Sequence, residues 1–256
     1  MASFALLGSG EFEPWTEPVD RWLLEHGTGD GRIVVLPTAS APEGDEVFEG
    51  WASMGLRHYE AAGVAAEVVA LRTRADAERP ELFERFRGAS AVFFSGGNPA
   101  YLAATLAGTP AWACIVDEMG RGMAYAGCSA GVACLGESAP DSAVRDPLHA
   151  DGSLLQPGLG VFPHTFLMPH WDALDGYVPG LQALIRRSVP ADRRLVTIDE
   201  HTAMLGDGSI WTVEGSGRVG VIRGDDARAF ASGEAFEEPL TGSGARDVGA
   251  ATEGAT

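Results

Sequence analysis

Apolar and polar positions along this chain fall into short blocks whose period switches repeatedly between a strand's and a helix's. Residues 4–7 are an apolar run that stops at Gly8-Ser9-Gly10-Glu11, a first strand feeding a tight loop. Residues 22–26 predict a first helix, and 32–37 a β-branched, buried strand stopped by Pro37. Across 46–62, Val47, Trp51, Met54 and Tyr59 roughly follow a helical period with Gly63 as a stop, and 64–71 returns as a strand. Residues 80–86 are helical and close at Gly88; 91–94 form a fourth buried strand that runs into Ser95-Gly96-Gly97-Asn98-Pro99 and then a helix to Leu106. Thr109 and Pro110 supply the N-cap and first position of a helix reaching Met119. Helix alternating with strand predicts an α/β domain, doubly wound, with a mostly parallel sheet and flanking helices.

The next block, residues 123–134, reads as a buried strand, a sharp turn and a helix. Ser129 lies between Gly127 and Gly131, the G-x-S-x-G spacing of a nucleophile elbow. A strand turning directly into a helix crowds its central residue, so the flanking positions must be very small. The hydroxyl then stands at a helix N-terminus, where free N–H groups and the helix dipole stabilise a developing oxyanion. Read alone, the stretch is equally a glycine-rich turn ahead of a packed helix. Cys128 is a poor rival nucleophile, because the elbow turns the preceding residue away. The Gly96-Gly97 pair ends a parallel strand, where such a sheet builds its site and where backbone N–H groups approach a ligand unobstructed.

Beyond the elbow the pattern weakens. Residues 136–157 are polar and predict a long surface loop over the site. Residues 159–168 are apolar, broken by Pro163, and lead to Pro169-His170-Trp171-Asp172; 181–189 predicts a helix with Arg186 and Arg187 outward. Residues 195–203 read as a strand leading into the next, which places Asp199 and Glu200 on opposite faces. Two further strands, 210–213 and 219–222, flank Glu214-Gly215-Ser216-Gly217 and predict a C-terminal β-hairpin. From Glu237 the chain is rich in Gly, Ala, Thr and Glu, which predicts one domain over 1–236 and a disordered tail over 237–256.

Composition narrows the chemistry. A formal net charge of -18 opposes binding to nucleic acid or to an anionic membrane surface. All 18 basic side chains are arginines, so Schiff-base chemistry, a phosphate-loop lysine and a Ser-Lys dyad are excluded. A base must be His or a carboxylate. Three cysteines with no C-x-x-C pair argue against a disulfide framework or a structural zinc, and no cofactor or metal is expected. His164, His170 and Asp172 fit no standard metal-ligand spacing. The N-terminus lacks a basic leader and no run approaches the ~20 apolar residues of a membrane span, so a cytoplasmic protein, monomer or homodimer, is expected. Among six histidines, His26 and His58 sit on early helices, His149 lies in the polar loop, and His170 follows an apolar strand and a proline. A lone histidine there is as readily structural as catalytic.

Four motifs together carry a resemblance: Phe94-Ser95-Gly96-Gly97-Asn98, Gly127-Cys128-Ser129-Ala130-Gly131, Pro169-His170-Trp171 and Ile198-Asp199-Glu200-His201-Thr202-Ala203. In order and spacing, from the N-terminus to about Ile222, the chain resembles the aspartyl dipeptidase and cyanophycinase family of serine peptidases. The resemblance implies a class I glutamine-amidotransferase-like, flavodoxin-like fold. It also implies Ser129 as nucleophile, His170 as base and Glu200 as orienting acid, with oxyanion and substrate contacts from Gly96, Gly97, Asn98 and Ala130. The substrate class implied is a small peptide or amide. Cyanophycinases follow the catalytic histidine with substrate-holding arginines; here Trp171-Asp172-Ala173-Leu174-Asp175-Gly176 follows, and the aspartyl dipeptidase insert is not recognisable. Two alternatives stand beside this reading: a catalytically inactive binding protein on the same fold, and an esterase using His201 with Asp172.

Overall fold

The structure, a computed structural model, describes residues 2–143 and 154–241. Its elements in chain order are β1 (Phe4–Leu7), α1 (Glu17–His26), β2 (Ile33–Leu36), α2 (Asp45–Ala61), β3 (Ala66–Val68), α3 (Pro80–Phe83) and β4 (Ala91–Phe94). Then come α4 (Pro99–Leu106), α5 (Pro110–Gly120), β5 (Ala124–Cys128), α6 (Ala130–Ala133), β6 (Ser138–Pro140), β7 (Leu155–Pro157) and β8 (Thr165–Met168). The chain continues through α7 (Leu174–Tyr177), α8 (Leu181–Ser188), β9 (Arg194–Ile198), β10 (Thr202–Gly206), β11 (Ile210–Gly215), β12 (Arg218–Arg223), β13 (Asp226–Ala231) and β14 (Ala235–Glu237).

The main sheet runs β14-β11-β10-β1-β5-β4-β2-β3. From β1 to β3 every pairing is parallel, joined by helical crossovers, and from β1 outward to β14 every pairing is antiparallel. The doubly wound α/β architecture is therefore present. Strands β1, β2, β4 and β5 are buried throughout, as expected for parallel strands covered on both faces. On one face Val19 and Leu23 of α1 and Tyr59 of α2 pack against Ala5, Val35, Phe93 and Ala126. On the other, Leu6, Leu36, Phe94 and Tyr125 meet Leu102 and Ile115 from α4 and α5, together with Val196 and Val221.

Val196 and Val221 belong to a second sheet, β13-β12-β9-β8, which lays its inner face on that core. Its outer face packs Phe166, Met168 and Leu195 against Leu174 and Ile185 of the α7–α8 pair. Period-two alternation decides the split: Val196 and Ile198 face the main core, Leu195 the outer helices.

Three expectations change. Residues 199–201 are not part of an extended strand: β9 ends at Ile198 in the second sheet, β10 starts at Thr202 in the main sheet, and His201 turns the chain with φ +48°. The C-terminal hairpin strands exist, but Glu214-Gly215-Ser216-Gly217 does not join a pair. β11 pairs with β10 and β14 while β12 pairs with β9 and β13, so that turn carries the chain from one sheet to the other. The packed chain also continues past Glu237. Leu240 is fully buried, and the buried Glu238 carboxylate meets Arg194, Arg223 and Arg228 of the second sheet. The expected tail from 242 onward lies outside the described residues. Of the expected loop over 136–157, the described ends contain the antiparallel pair β6–β7, and residues 144–153, with His149, also lie outside. Among the described residues no single helix is long and apolar enough to cross a membrane.

Candidate active site

Steric crowding builds the elbow. A Cβ on Gly127 would stand 2.3 Å from the Gly131 carbonyl oxygen, and one on Gly131 would stand 2.4 Å from that of Phe94. Any larger residue would push the turn off β4. Ser129, between them, holds φ +52°, a conformation that a side chain adopts only when its surroundings enforce it. The Ser129 N–H donates to the Leu7 carbonyl at 3.1 Å, and the buried Tyr125 hydroxyl donates to the Gly131 carbonyl at 2.6 Å. Both ends of the elbow are thereby anchored to its own sheet.

Opposite Ser129 stands His170, two residues past β8 and itself at φ +55°. Its Nε2 lies 2.8 Å from Ser129 Oγ and its Nδ1 3.1 Å from Glu200 Oε1. With the proton on Nδ1, the imidazole donates to the carboxylate and accepts from the serine hydroxyl. Ser129, His170 and Glu200 are thus brought together. Glu200 is held from more than one side: its backbone N–H donates to Asp172 Oδ1 at 2.8 Å, and the Tyr177 hydroxyl donates to Oε1 at 2.8 Å. The Tyr177 hydroxyl foremost holds the Glu200 carboxyl below the ordinary glutamate range, with help from His170 against the desolvation that would raise it.

The other candidates separate cleanly. Asp199 points its Oδ2 to the Arg218 N–H at 2.9 Å, and burial raises its carboxyl. The choice between Asp199 and Glu200 as partner of His170 is therefore geometric. His201 contacts Glu13 at 3.3 Å, and Asp172 accepts from Glu200, so the His201–Asp172 pairing is not formed. The Cys128 thiol is fully buried; burial, then the charge of Glu11, raises its pKa well above the ordinary thiol value, which leaves it protonated. Gly96 faces the serine, a Cβ there falling 3.6 Å from Ser129 Cβ. Asn98 uses Oδ1 to cap α4 by accepting from the Tyr101 N–H at 3.1 Å and donates Nδ2 to Asp141 at 2.7 Å. Ala130 is the first residue of α6, so its N–H has no intrahelical acceptor.

Two contributors were not found by sequence reasoning. Glu11, nearly fully buried, accepts from the Gly96 N–H at 2.9 Å and from the Cys128 thiol at 2.8 Å, tying the β1 loop, the β4 loop and the elbow strand together. Its signal was an acidic residue directly after Gly8-Ser9-Gly10, at the end of a buried strand. Tyr177 had no local signal, since its partner lies 23 positions away.

Fold and site together define a doubly wound α/β domain that sets a serine hydroxyl, an imidazole and a carboxylate in line at a strand-to-helix turn. Among solved structures, the chain is similar to a peptidase from an acI-B1 Actinobacterium, with a TM-score of 0.83, 29% identity, and 93% of this chain and 97% of that one covered. Among curated proteins it is 28% identical over 208 residues to the cyanophycinases of Synechococcus elongatus and Thermosynechococcus vestitus, covering 75% of this chain but 59% of each of theirs. The profile of peptidase family S51 matches residues 4–213, and the chain belongs to that family.

Proposed function

We propose that the protein is a serine peptidase or amide hydrolase that cleaves small peptides through Ser129, His170 and Glu200. The observation that carries this reading is the continuous path from Ser129 Oγ to His170 Nε2 at 2.8 Å and from His170 Nδ1 to Glu200 Oε1 at 3.1 Å. His170 takes the hydroxyl proton as Ser129 attacks the scissile carbonyl, and an acyl-enzyme forms as the same proton passes to the leaving amine. Glu200 keeps the imidazole in the required tautomer and stabilises its cationic form. The backbone N–H groups of Gly97 and Ala130 receive the oxyanion; Gly96 is excluded from that role because its N–H is committed to Glu11. Packing alone has no need of a half-buried hydroxyl, a left-handed histidine and a carboxylate in one line, which favours catalysis over a binding protein on the same fold.

The substrate is a small peptide or amide with no requirement for aspartate at its N-terminus. Glu13, Asp172, Asp175 and Glu200 give the neighbourhood negative charge, and burying a substrate carboxylate there unpaired would cost several kcal/mol. A fluorophosphonate probe tests the reaction class: it labels the wild-type protein and leaves Ser129→Ala and His170→Ala unlabelled. Failure to label the folded wild type would defeat the proposal. A dipeptide and amide library tests the specificity. Strong preference for aspartyl substrates would mean that a cation from elsewhere in the chain supplies the missing charge, and would defeat this part of the proposal.

A further inference from the structure

Among the described residues Tyr177 is one of the few large hydrophobic side chains left exposed, at 63%, yet its hydroxyl is committed to a single partner. It ends the short helix α7, and its ring lies edge-on to His170 with centroids 6.3 Å apart. The hydroxyl donates at 2.8 Å to Glu200 Oε1, the same oxygen that His170 Nδ1 meets at 3.1 Å. An exposed phenol gains little by bonding a carboxylate that water would solvate equally well. What the bond does achieve is orientation: two donors on one oxygen fix the rotation of a carboxylate that is only partly buried. The segment delivering Tyr177 is itself braced, since Asp175 accepts from the Gln182 N–H at 2.9 Å and the Gln182 side chain donates to the Trp171 carbonyl at 2.7 Å. The residue after His170 and the helix that carries Tyr177 are therefore one unit.

We infer that Tyr177 is a positioning residue of the triad, acting on His170 through Glu200. The inference rests on the triad proposed above. Glu200 is faced by His170 from the segment after β8, by Tyr177 from α7, by the Asp172 carboxylate at its backbone N–H, and by its chain neighbours Asp199 and His201, the latter beside Glu13. Among these, Tyr177 and His170 are the groups recorded in hydrogen bonds to the reacting carboxylate oxygen. Removing the phenol donor leaves more charge on Oε1 for the Nδ1 proton. Glu200, no longer held down by that donor, titrates at higher pH. That change moves the acid limb of activity upward. The loosened carboxylate also holds the imidazole less well, which slows the reaction.

The test follows fluorophosphonate labelling of Ser129 against pH in the full chain, for wild type, Tyr177→Phe, Glu200→Gln and the double variant. Tyr177→Phe keeps the ring, so the fold and melting temperature should hold while labelling slows roughly tenfold. Its acid limb should move up by a few tenths of a pH unit. In the Glu200→Gln background the same change should add nothing, because the path runs through Glu200. Unchanged rate and unchanged acid limb in Tyr177→Phe, or an equal slowing in both backgrounds, would overturn the inference and leave the triad standing. Wild type that does not label at all would overturn both.

Discussion

The two sides of the site are built by opposite means. On the nucleophile side, backbone sterics set everything: a Cβ on Gly127 or Gly131 would fall 2.3 or 2.4 Å from a carbonyl oxygen, and Ser129 sits where the turn must put it. On the acid side, side chains do the holding: Asp172 and Tyr177, from the segment after β8, grip Glu200 in the turn that joins two sheets, with His170 and Glu200 only 27% and 28% exposed. A buried backbone lock tolerates no substitution but needs no help. A side-chain clamp tolerates substitution in steps, and each step changes rate before it changes fold.

The largest expected effect sharpens that contrast. Glu200→Gln should keep a folded protein and lower activity by about 10³- to 10⁴-fold, because a neutral amide no longer fixes the imidazole tautomer. Asp199→Asn, one residue earlier, should cost less than about tenfold; equal losses would mean the acid has been assigned to the wrong residue. On the other side Gly131→Ala should destabilise by about 3 kcal/mol, measured by denaturant unfolding, because the added methyl meets the Phe94 backbone. If Gly131→Ala melts like wild type, the elbow is not sterically locked. Glu11→Ala should cost about 2 kcal/mol by orphaning the buried Gly96 N–H, whereas Glu11→Gln keeps an acceptor and should cost less.

The smallest effect concerns acid. Burial alone would raise the Glu238 carboxyl, but Arg223, Arg194 and Arg228 outweigh it and hold it below the ordinary glutamate value. A carboxyl lowered in the folded state stabilises above the unfolded pKa of about 4.3, and that contribution fades as pH falls through the folded value. Melting measured between pH 6 and roughly pH 3 should therefore fall less steeply in Glu238→Gln than in wild type. Parallel curves would remove Glu238 from the account.

The same contrast explains what the sequence made legible. The elbow could be read because its constraint is local: five consecutive residues carry it. The parallel half of the main sheet could be read because buried strands are short apolar runs between helical periods. The acid side was legible only through resemblance, since no local rule links His170 to a carboxylate 30 positions later. Residues 195–203 look like one strand because Ile198 and Thr202 belong to strands on both sides of the turn; a change of sheet leaves no periodic trace. Likewise Glu238 resembles part of an acidic, glycine-rich tail, and only the folded chain shows that its partners are arginines from β9, β12 and β13.

That Glu238 contact has a meaning in time as well as in space. A ribosome delivers Ser129, His170 and Glu200 well before it delivers residue 238. A nascent chain paused at β13 holds Ser129, His170 and Glu200, yet its second sheet presents three guanidiniums with no Glu238 to answer them. The last strand of the main sheet and the carboxylate that neutralises the second arrive together, within residues 235–238. Docking of the sheet that precedes His170 onto the sheet that supplies Ser129 is thus completed by some of the last described residues to be synthesised, and a chain released early would hold the two sheets by their shared apolar core alone, without that ionic clasp.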